Sequence, residues 1–326
     1  MSTYVISDPH GALDELQRML DKIGFRMDGS DELYLLGDYC DWGAEPLDTL
    51  RFCMAMDLAS PYVHCLMGNH EWMFLNTILT IRPGLPYDEA STIWLKNNHG
   101  DHTWQQYLAL SDSERAAIRD WLMFLPYSAE CTVNGVHYLM SHAYPYFSDM
   151  KYTPEEEARC RKDAVWRRLM IREDPFGFYE GRKHYDHFIC GHTITEYYYY
   201  MLRFEKRWPY RKPDPSVRNR IFRAERFTDI DCGAKCFNYP EDVSETLRHG
   251  AERAQLACLR LEDGHEFYVH PVRHRGVSVR LPEVRFRGNL QNVRIPELHL
   301  GQTLQGMQDT LTHYWEEEFY DGSGRY

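Results

Sequence analysis

Five short segments gather carboxylates, imidazoles and an amide in a form able to bind metal ions. They are Ser7-Asp8-Pro9-His10-Gly11, Gly37-Asp38-Tyr39-Cys40-Asp41-Trp42-Gly43, Gly68-Asn69-His70-Glu71, Ser141-His142 and Gly191-His192-Thr193. Asp8, His10, Asp38, Asn69, His142 and His192 form a mixed oxygen and nitrogen donor set. Such a set suits Mn, Fe or Zn better than Ca and needs no thiolate. Two ions share these donors economically: Asp8 and His10 on one, Asn69, His142 and His192 on the other, Asp38 bridging. Two ions roughly 3.5–4 Å apart can share a hydroxide, lower its pKa and clamp phosphoryl oxygens. His70 and Asp41 are left over, and a histidine oriented by a carboxylate is what protonating a leaving group requires. Any one of these segments alone is ordinary turn chemistry; the weight lies in the series.

Each segment follows an apolar run that reads as a strand: Tyr4–Ile6, Leu33–Leu36, Tyr62–Met67, Val136–Leu139 and Phe188–Cys190. In open α/β sheets, ligand sites collect beyond the carboxyl ends of strands, so side chains distant in sequence can converge there. Leu13, Leu16, Met19, Leu20 and Ile23 repeat at helical spacing and Gly24 closes the pattern. A second helix is expected over 45–59. Strand, loop and helix thus alternate through the first 80 residues, the signature of βαβ units and a mainly parallel sheet. Residues 71–125 read as mostly helical, broken near 82–86 and 97–100. Asn134-Gly135 between apolar runs marks a hairpin. A helix is expected over 154–171, and late strands at 227–231, 255–261 and 266–270. The fold class is α/β.

A hydrophobic share of 43% with 26% charged residues fits a globular chain with a sizeable core. No apolar run approaches the roughly 18 residues of a membrane helix. A net charge of −12 argues against general adhesion to nucleic acid or anionic lipid. Neither a membrane nor a nucleic-acid partner is therefore expected. Nine scattered cysteines without a C-x-x-C pair point to reduced thiols, and the start of the chain lacks a secretion pattern, so a cytoplasmic location is expected. Residues 194–228 hold nine basic against four acidic side chains, four consecutive tyrosines and three prolines, and read as an insertion over one face. Residues 271–326 read as an extension of open role and oligomeric consequence, with edge strands at 277–281 and 284–287 and a helix at 303–318. His99, His102, His137, His184 and His187 read as surface or packing residues.

The motif series resembles that of the phosphoprotein phosphatase branch of the calcineurin-like metallophosphoesterases, the bacterial and phage serine/threonine phosphatases being closest in style. The resemblance covers about residues 3–270, since Asp229-Ile230-Asp231-Cys232-Gly233 and Leu256–Leu261 look like the closing strands. It implies a catalytic domain over 1–270, built as two face-to-face β-sheets with helices outside. It implies Asp8, His10 and Asp38 on one metal and Asp38, Asn69, His142 and His192 on the other. It implies His70 as the acid, paired with Asp41, and Mn²⁺, or else Fe²⁺ or Zn²⁺, as occupants. The substrate would be a phosphate monoester, phosphoserine or phosphothreonine foremost, on a protein or a small molecule. Arg168 resembles a phosphate-contacting arginine of the bacterial members.

Two departures stand out. The family pattern Gly-Asp-x-x-Asp-Arg-Gly has Trp42 in the arginine's place. That arginine forks two phosphate oxygens, which an uncharged indole with one N–H cannot do. The basic segment after His192 is also longer than in relatives and offers replacement cations. Two other readings follow. In a bis(nucleoside)-tetraphosphate hydrolase, Trp42 would stack on a nucleobase. In a non-catalytic protein on the same scaffold, the tyrosine-rich segment would grip a partner.

Overall fold

The computed structural model describes residues 1–81, 87–177, 185–204, 218–238 and 252–271. Strands β1 (Ser2–Ile6), β2 (Asp31–Leu35) and β3 (Val63–Cys65) run parallel, joined through helices α1 (Leu13–Ile23) and α2 (Pro46–Ala59). Helices α3 (Asn69–Thr80), α4 (Glu89–Asn97), α5 (Gly100–Leu108) and α6 (Asp112–Phe124) follow. Next come the hairpin β4 (Ala129–Val133) and β5 (Val136–Met140), helix α7 (Pro154–Trp166), β6 (His187–Cys190) and helix α8 (Glu196–Phe204). The chain then forms β7 (Phe222–Arg223), β8 (Phe227–Asp229), β9 (Leu256–Arg260) and β10 (Glu266–Val269). Two five-stranded sheets result, ordered β10-β9-β1-β2-β3 and β4-β5-β6-β8-β7. Both are mixed, because β9 joins β1 antiparallel while β6 joins β5 and β8 in parallel.

The period-2 alternation of strands sorts the core into layers. Val5, Tyr34, Met140, Ile189, Ala257 and Leu259 meet between the two sheets. Their neighbours Tyr4, Ile6, Leu33, Leu35 and Cys258 face the other way, onto Leu16, Leu50, Phe74, Trp94 and Leu122 of the first helical layer. Leu139, Phe188 and Cys190 face outward from the second sheet onto Tyr144, Phe147, Leu169 and Tyr198. Burial on both faces explains why these strands read as continuous apolar runs. Asn134 (φ 51°) and Gly135 (φ 82°) make the expected hairpin turn.

Two expectations need correcting. Helix α7 stops at Trp166, because Arg167 turns to an extended conformation (φ −75°, ψ 122°). The segment 194–228 is no simple overlay. Its four consecutive tyrosines lie in α8, N-terminal to the prolines, and Tyr198 is buried and stacked on Phe222 at 4.5 Å. Among its described cations, Arg220 and Arg223 pair with Glu266, and Arg226 with Asp174. Lys206, Arg207, Arg211 and Lys212 lie outside the described residues, as do the strands and helix expected over 277–318. All nine cysteines are free thiols. Among the described residues, no helix is long and apolar enough to cross a membrane.

Candidate metal centre

Asp8, Asp38, Asn69, His142 and His192 each lie just past the end of β1, β2, β3, β5 or β6. The two sheets face each other, so these five loops open on one space. Asp8, His10, Asp38 and His192 adopt positive φ values of 56°, 41°, 58° and 67°. That region is costly for a residue with a β-carbon and clusters at functional sites. Glycines let the loops meet. A β-carbon on Gly191 would lie 2.1 Å from Asp8 Oδ2, and one on Gly68 would lie 2.3 Å from Asp38 Oδ1.

All six predicted ligands are buried together. Each imidazole has one nitrogen by a main-chain carbonyl: His10 Nδ1 at 3.1 Å from Cys40 O, His142 Nδ1 at 2.9 Å from Leu36 O, His192 Nε2 at 3.1 Å from Trp166 O. Those nitrogens donate to the carbonyls, so the other nitrogen of each ring, once neutral, presents a lone pair. The Trp166 carbonyl is open for this because it ends α7. The lone pairs face oxygens. His142 Nε2 and His192 Nδ1 lie 2.9 and 3.0 Å from Asn69 Oδ1. His10 Nε2 lies 3.3 Å from Asp38 Oδ2 and 3.9 Å from Asp8 Oδ1, while His142 Nε2 lies 3.4 Å from Asp38 Oδ1. Asp38 therefore turns one oxygen to each group of imidazoles. Asp8 Oδ1 is buried with no hydrogen-bond partner. Buried lone pairs that face buried oxygens call for a cation between them, and a carboxylate with one oxygen toward each side could serve two such cations. The donor set fits two divalent ions.

Electrostatics show the same tension. Burial pushes the Asp8 carboxyl up, against the opposing pull of His142. Burial also opposes ionisation of Asp38, but His142, His70 and His10 overcome it and hold that carboxyl well below its usual range. Burial disfavours charge on His10, yet the Asp38 carboxylate prevails and pushes the ring up to about 9. His192 is driven well below the ordinary imidazole range by burial, with His142 and Arg168 adding to it, and stays neutral. A third carboxyl, Asp231, is pushed up to about 7 by burial and by Asp8.

His70 stands beside this centre. Its Nδ1 is 2.6 Å from Asp41 Oδ2, and its Nε2 turns inward, 3.9 Å from Asp38 Oδ2. The fully buried Asp41 also accepts from Trp94 Nε1 at 2.6 Å and from the Thr103 hydroxyl. Trp94 and Thr103 sit on α4 and α5, and spacing along the chain gave no sign of either. Glu71, next to His70 on the first turn of α3, stands in the motif series, but the sequence assigned it no role. Its carboxylate accepts the main-chain N–H groups of Asp38, Tyr39 and Cys40 at 2.7, 2.8 and 3.2 Å, and so fixes the loop that carries Asp38.

Arg168 is exposed just beyond α7, and its charge is felt at His192. Its neighbour Arg167 is committed elsewhere, paired with Glu173 at 2.7 Å and lying over the Tyr144 ring. Trp42 is half-buried, and His99 lies against its ring at 3.9 Å between centroids, so His99 belongs to the surroundings of the site. Lys235 Nζ stands 5.8 Å from the Trp42 ring centroid.

Comparison with known proteins gives the family. Residues 1–196 match the model described as calcineurin-like phosphoesterase. The chain is 35% identical over 101 residues to a symmetrical bis(5'-nucleosyl)-tetraphosphatase of Actinobacillus pleuropneumoniae serotype 3 (strain JL03), covering 31% of this chain and 36% of that protein. It is 31% identical over 161 residues to the protein of the same name from Salmonella paratyphi C (strain RKS4594), covering 47% and 55%. The chain thus spans between about a third and about half the length of these curated relatives. Among solved structures, a protein serine/threonine phosphatase from Saccharomyces cerevisiae aligns with a TM-score of 0.51 and 11% identity, over 84% of this chain and 81% of that one, a likeness of fold. Since the family match runs from β1 through His192 and takes in more than half of the chain, this protein belongs to the calcineurin-like phosphoesterase family.

Proposed function

We propose that the chain is a two-metal hydrolase of nucleotide phosphoanhydrides, with dinucleoside tetraphosphates as the first substrate class and phosphate monoesters as the second. The observation that carries hydrolysis is the shell of buried lone pairs on both sides of Asp38. Asp8, His10 and Asp38 would hold one ion, and Asp38, Asn69, His142 and His192 the other, with Mn²⁺ the first choice and Fe²⁺ or Zn²⁺ the alternatives. Bound there, divalent ions supply Lewis acidity toward phosphoryl oxygens and a water ionised near neutral pH. The names of the relatives support the anhydride over the phosphoserine and phosphothreonine substrates that the motif series alone put first.

The protein's own part is orientation and proton supply. Asp41 fixes the His70 ring through Nδ1, which leaves Nε2 to hand a proton to the departing oxygen. Arg168, whose charge is felt at His192, would meet a phosphoryl oxygen of the bound substrate. The Asp41–His70 pair also favours the monoester reading. An anhydride expels a phosphate, which departs with little help, whereas an alkoxide needs a proton.

The test is a panel of diadenosine tetraphosphate, a phosphoserine peptide and p-nitrophenyl phosphate, with protein reconstituted with Mn²⁺. The tetraphosphate is expected to lead in kcat/KM by about tenfold or more, or ~1.4 kcal/mol of transition-state binding. A leading phosphopeptide would reverse the order. Absence of turnover on all three, by protein holding two ions, would remove the hydrolase reading and favour the partner-binding one.

A further inference from the structure

We propose that Lys235 binds the phosphate of the substrate, and that Trp42, backed by His99, is the platform holding its ammonium at the mouth of the metal centre. This rests on the reading of the centre as a phosphoester site. It assigns to one residue the cation that position 42 lacks.

The geometry starts from two strained turns. Trp42 has φ 60° and His99 φ 56°, both left-handed and both costly for side chains of this size. Each is pinned by its neighbours. A β-carbon on Gly43 would fall 2.2 Å from His10 O, and one on Gly100 would fall 2.2 Å from the Trp94 ring, so both backbones are fixed by packing. The outcome is the Trp42–His99 pair at 3.9 Å, next in sequence to Asp41. Lys235 comes from the other sheet. It sits on a short 3-10 turn (Ala234–Asn238) soon after β8, the strand hydrogen-bonded to β6, whose end carries His192. From there Nζ reaches to 5.8 Å from the Trp42 ring centroid, within cation–π range.

Two features fit a ligand-binding cation. Lys235 is half-buried, which restrains it without enclosing it. Among the described residues neither Lys235 nor Arg168 is engaged in an ion pair, whereas Arg220, Arg223 and Arg226 are. A phosphoryl group at the centre would draw on Lys235 in place of the arginine that position 42 lacks. An indole cannot grip phosphate, but its face can steady an ammonium that does.

The competing role for Lys235 is structural: neutralising the buried acid Asp231 at this end of the sheets. Binding of inorganic phosphate to the Mn²⁺-loaded protein separates the two, read by calorimetry alongside metal content and the thermal midpoint. In Lys235→Gln the phosphate dissociation constant is expected to rise about tenfold or more, with two ions retained. Lys235→Arg should recover most of the affinity, and Trp42→Leu should weaken it several-fold. An unchanged phosphate affinity in Lys235→Gln overturns the proposal. So does a variant that loses metal or melts early while any loaded fraction binds phosphate as tightly as the parent. Because the probe is inorganic phosphate, the outcome does not depend on which ester the protein cleaves. A Lys235-dependent affinity in a protein that turns over nothing would leave this proposal standing and remove only the hydrolase reading.

Discussion

Asp41→Asn tests how the proton is supplied. The carboxylate is fully buried and takes three donors: His70 Nδ1 and Trp94 Nε1 on Oδ2, and the Thr103 hydroxyl on Oδ1. Asparagine can satisfy all three. Its oxygen takes the place of Oδ2, and its NH₂ faces Thr103, whose hydroxyl can rotate to accept. The fold should therefore tolerate the change, with a cost under about 1 kcal/mol. What disappears is the negative charge 2.6 Å from the His70 ring. A hydrogen bond to a charged group contributes about 1.5–3 kcal/mol, or about 10- to 150-fold in rate if it acts in the transition state. The loss must depend on the leaving group. Phenyl phosphate or a phosphoserine peptide should lose the full factor in kcat, whereas p-nitrophenyl phosphate, whose phenoxide departs without a proton, should lose less than about threefold. Steady-state kinetics over a series of aryl phosphates gives this as a steeper dependence on leaving-group pKa. Equal losses across the series would refute the reasoning, because the charge would then be acting on something other than the departing oxygen.

Gly191→Ala places a methyl where Asp8 Oδ2 and Ser7 Oγ now lie, 2.1 and 2.2 Å away. Bound Mn should fall from two toward one per chain by elemental analysis, and a full complement of two would contradict the assignment of Asp8. Glu71→Gln puts an NH₂ against one of three buried N–H groups, for a cost of about 1–3 kcal/mol. Chemical denaturation should report that loss together with weaker metal binding; an undisturbed metal affinity would mean that the Asp38 loop holds its shape without Glu71. His187 has its pKa pushed down to about 4 by burial, with Arg223 and Arg226 adding to it. Its folded value lies below the unfolded one near 6.5, so the contribution is complete above about pH 6.5 and drains away as pH falls toward 4. Urea melts across that window should show a slope of up to one proton that His187→Gln removes, and identical slopes would sink the point.

Residues differed in legibility according to what fixes them. Each predicted ligand follows a strand whose apolar run is visible because both of its faces are buried, so the position of the donor could be read with the strand. His70 and Asp41 came with those same loops. The residues that make the centre work as a unit carried no such label. Trp94 and Thr103 reach Asp41 across 53 and 62 positions, from the interiors of helices in which an indole or a hydroxyl reads as packing. Glu71 looks like an ordinary acid in a helix's first turn, where it would favour its own helix N-terminus; its partners are instead three main-chain N–H groups about 32 positions back, and main-chain donors leave no trace in sequence. His99 and Lys235 both lie far beyond Trp42 in the chain and meet it only because two sheets and a helical layer close on one space. Three prolines made the tyrosine run look irregular, although they follow α8 and leave Tyr198 free to enter the core. The division has a physical consequence. Metal ligands come from strand ends, whereas the Asp41 environment comes from α4 and α5, so disturbing those helices should impair proton donation before it impairs metal binding. Thr103→Val removes one donor to Asp41 without touching either sheet. It should reproduce part of the leaving-group dependence of Asp41→Asn with both ions in place, and loss of metal in Thr103→Val would show that the two layers are a single unit.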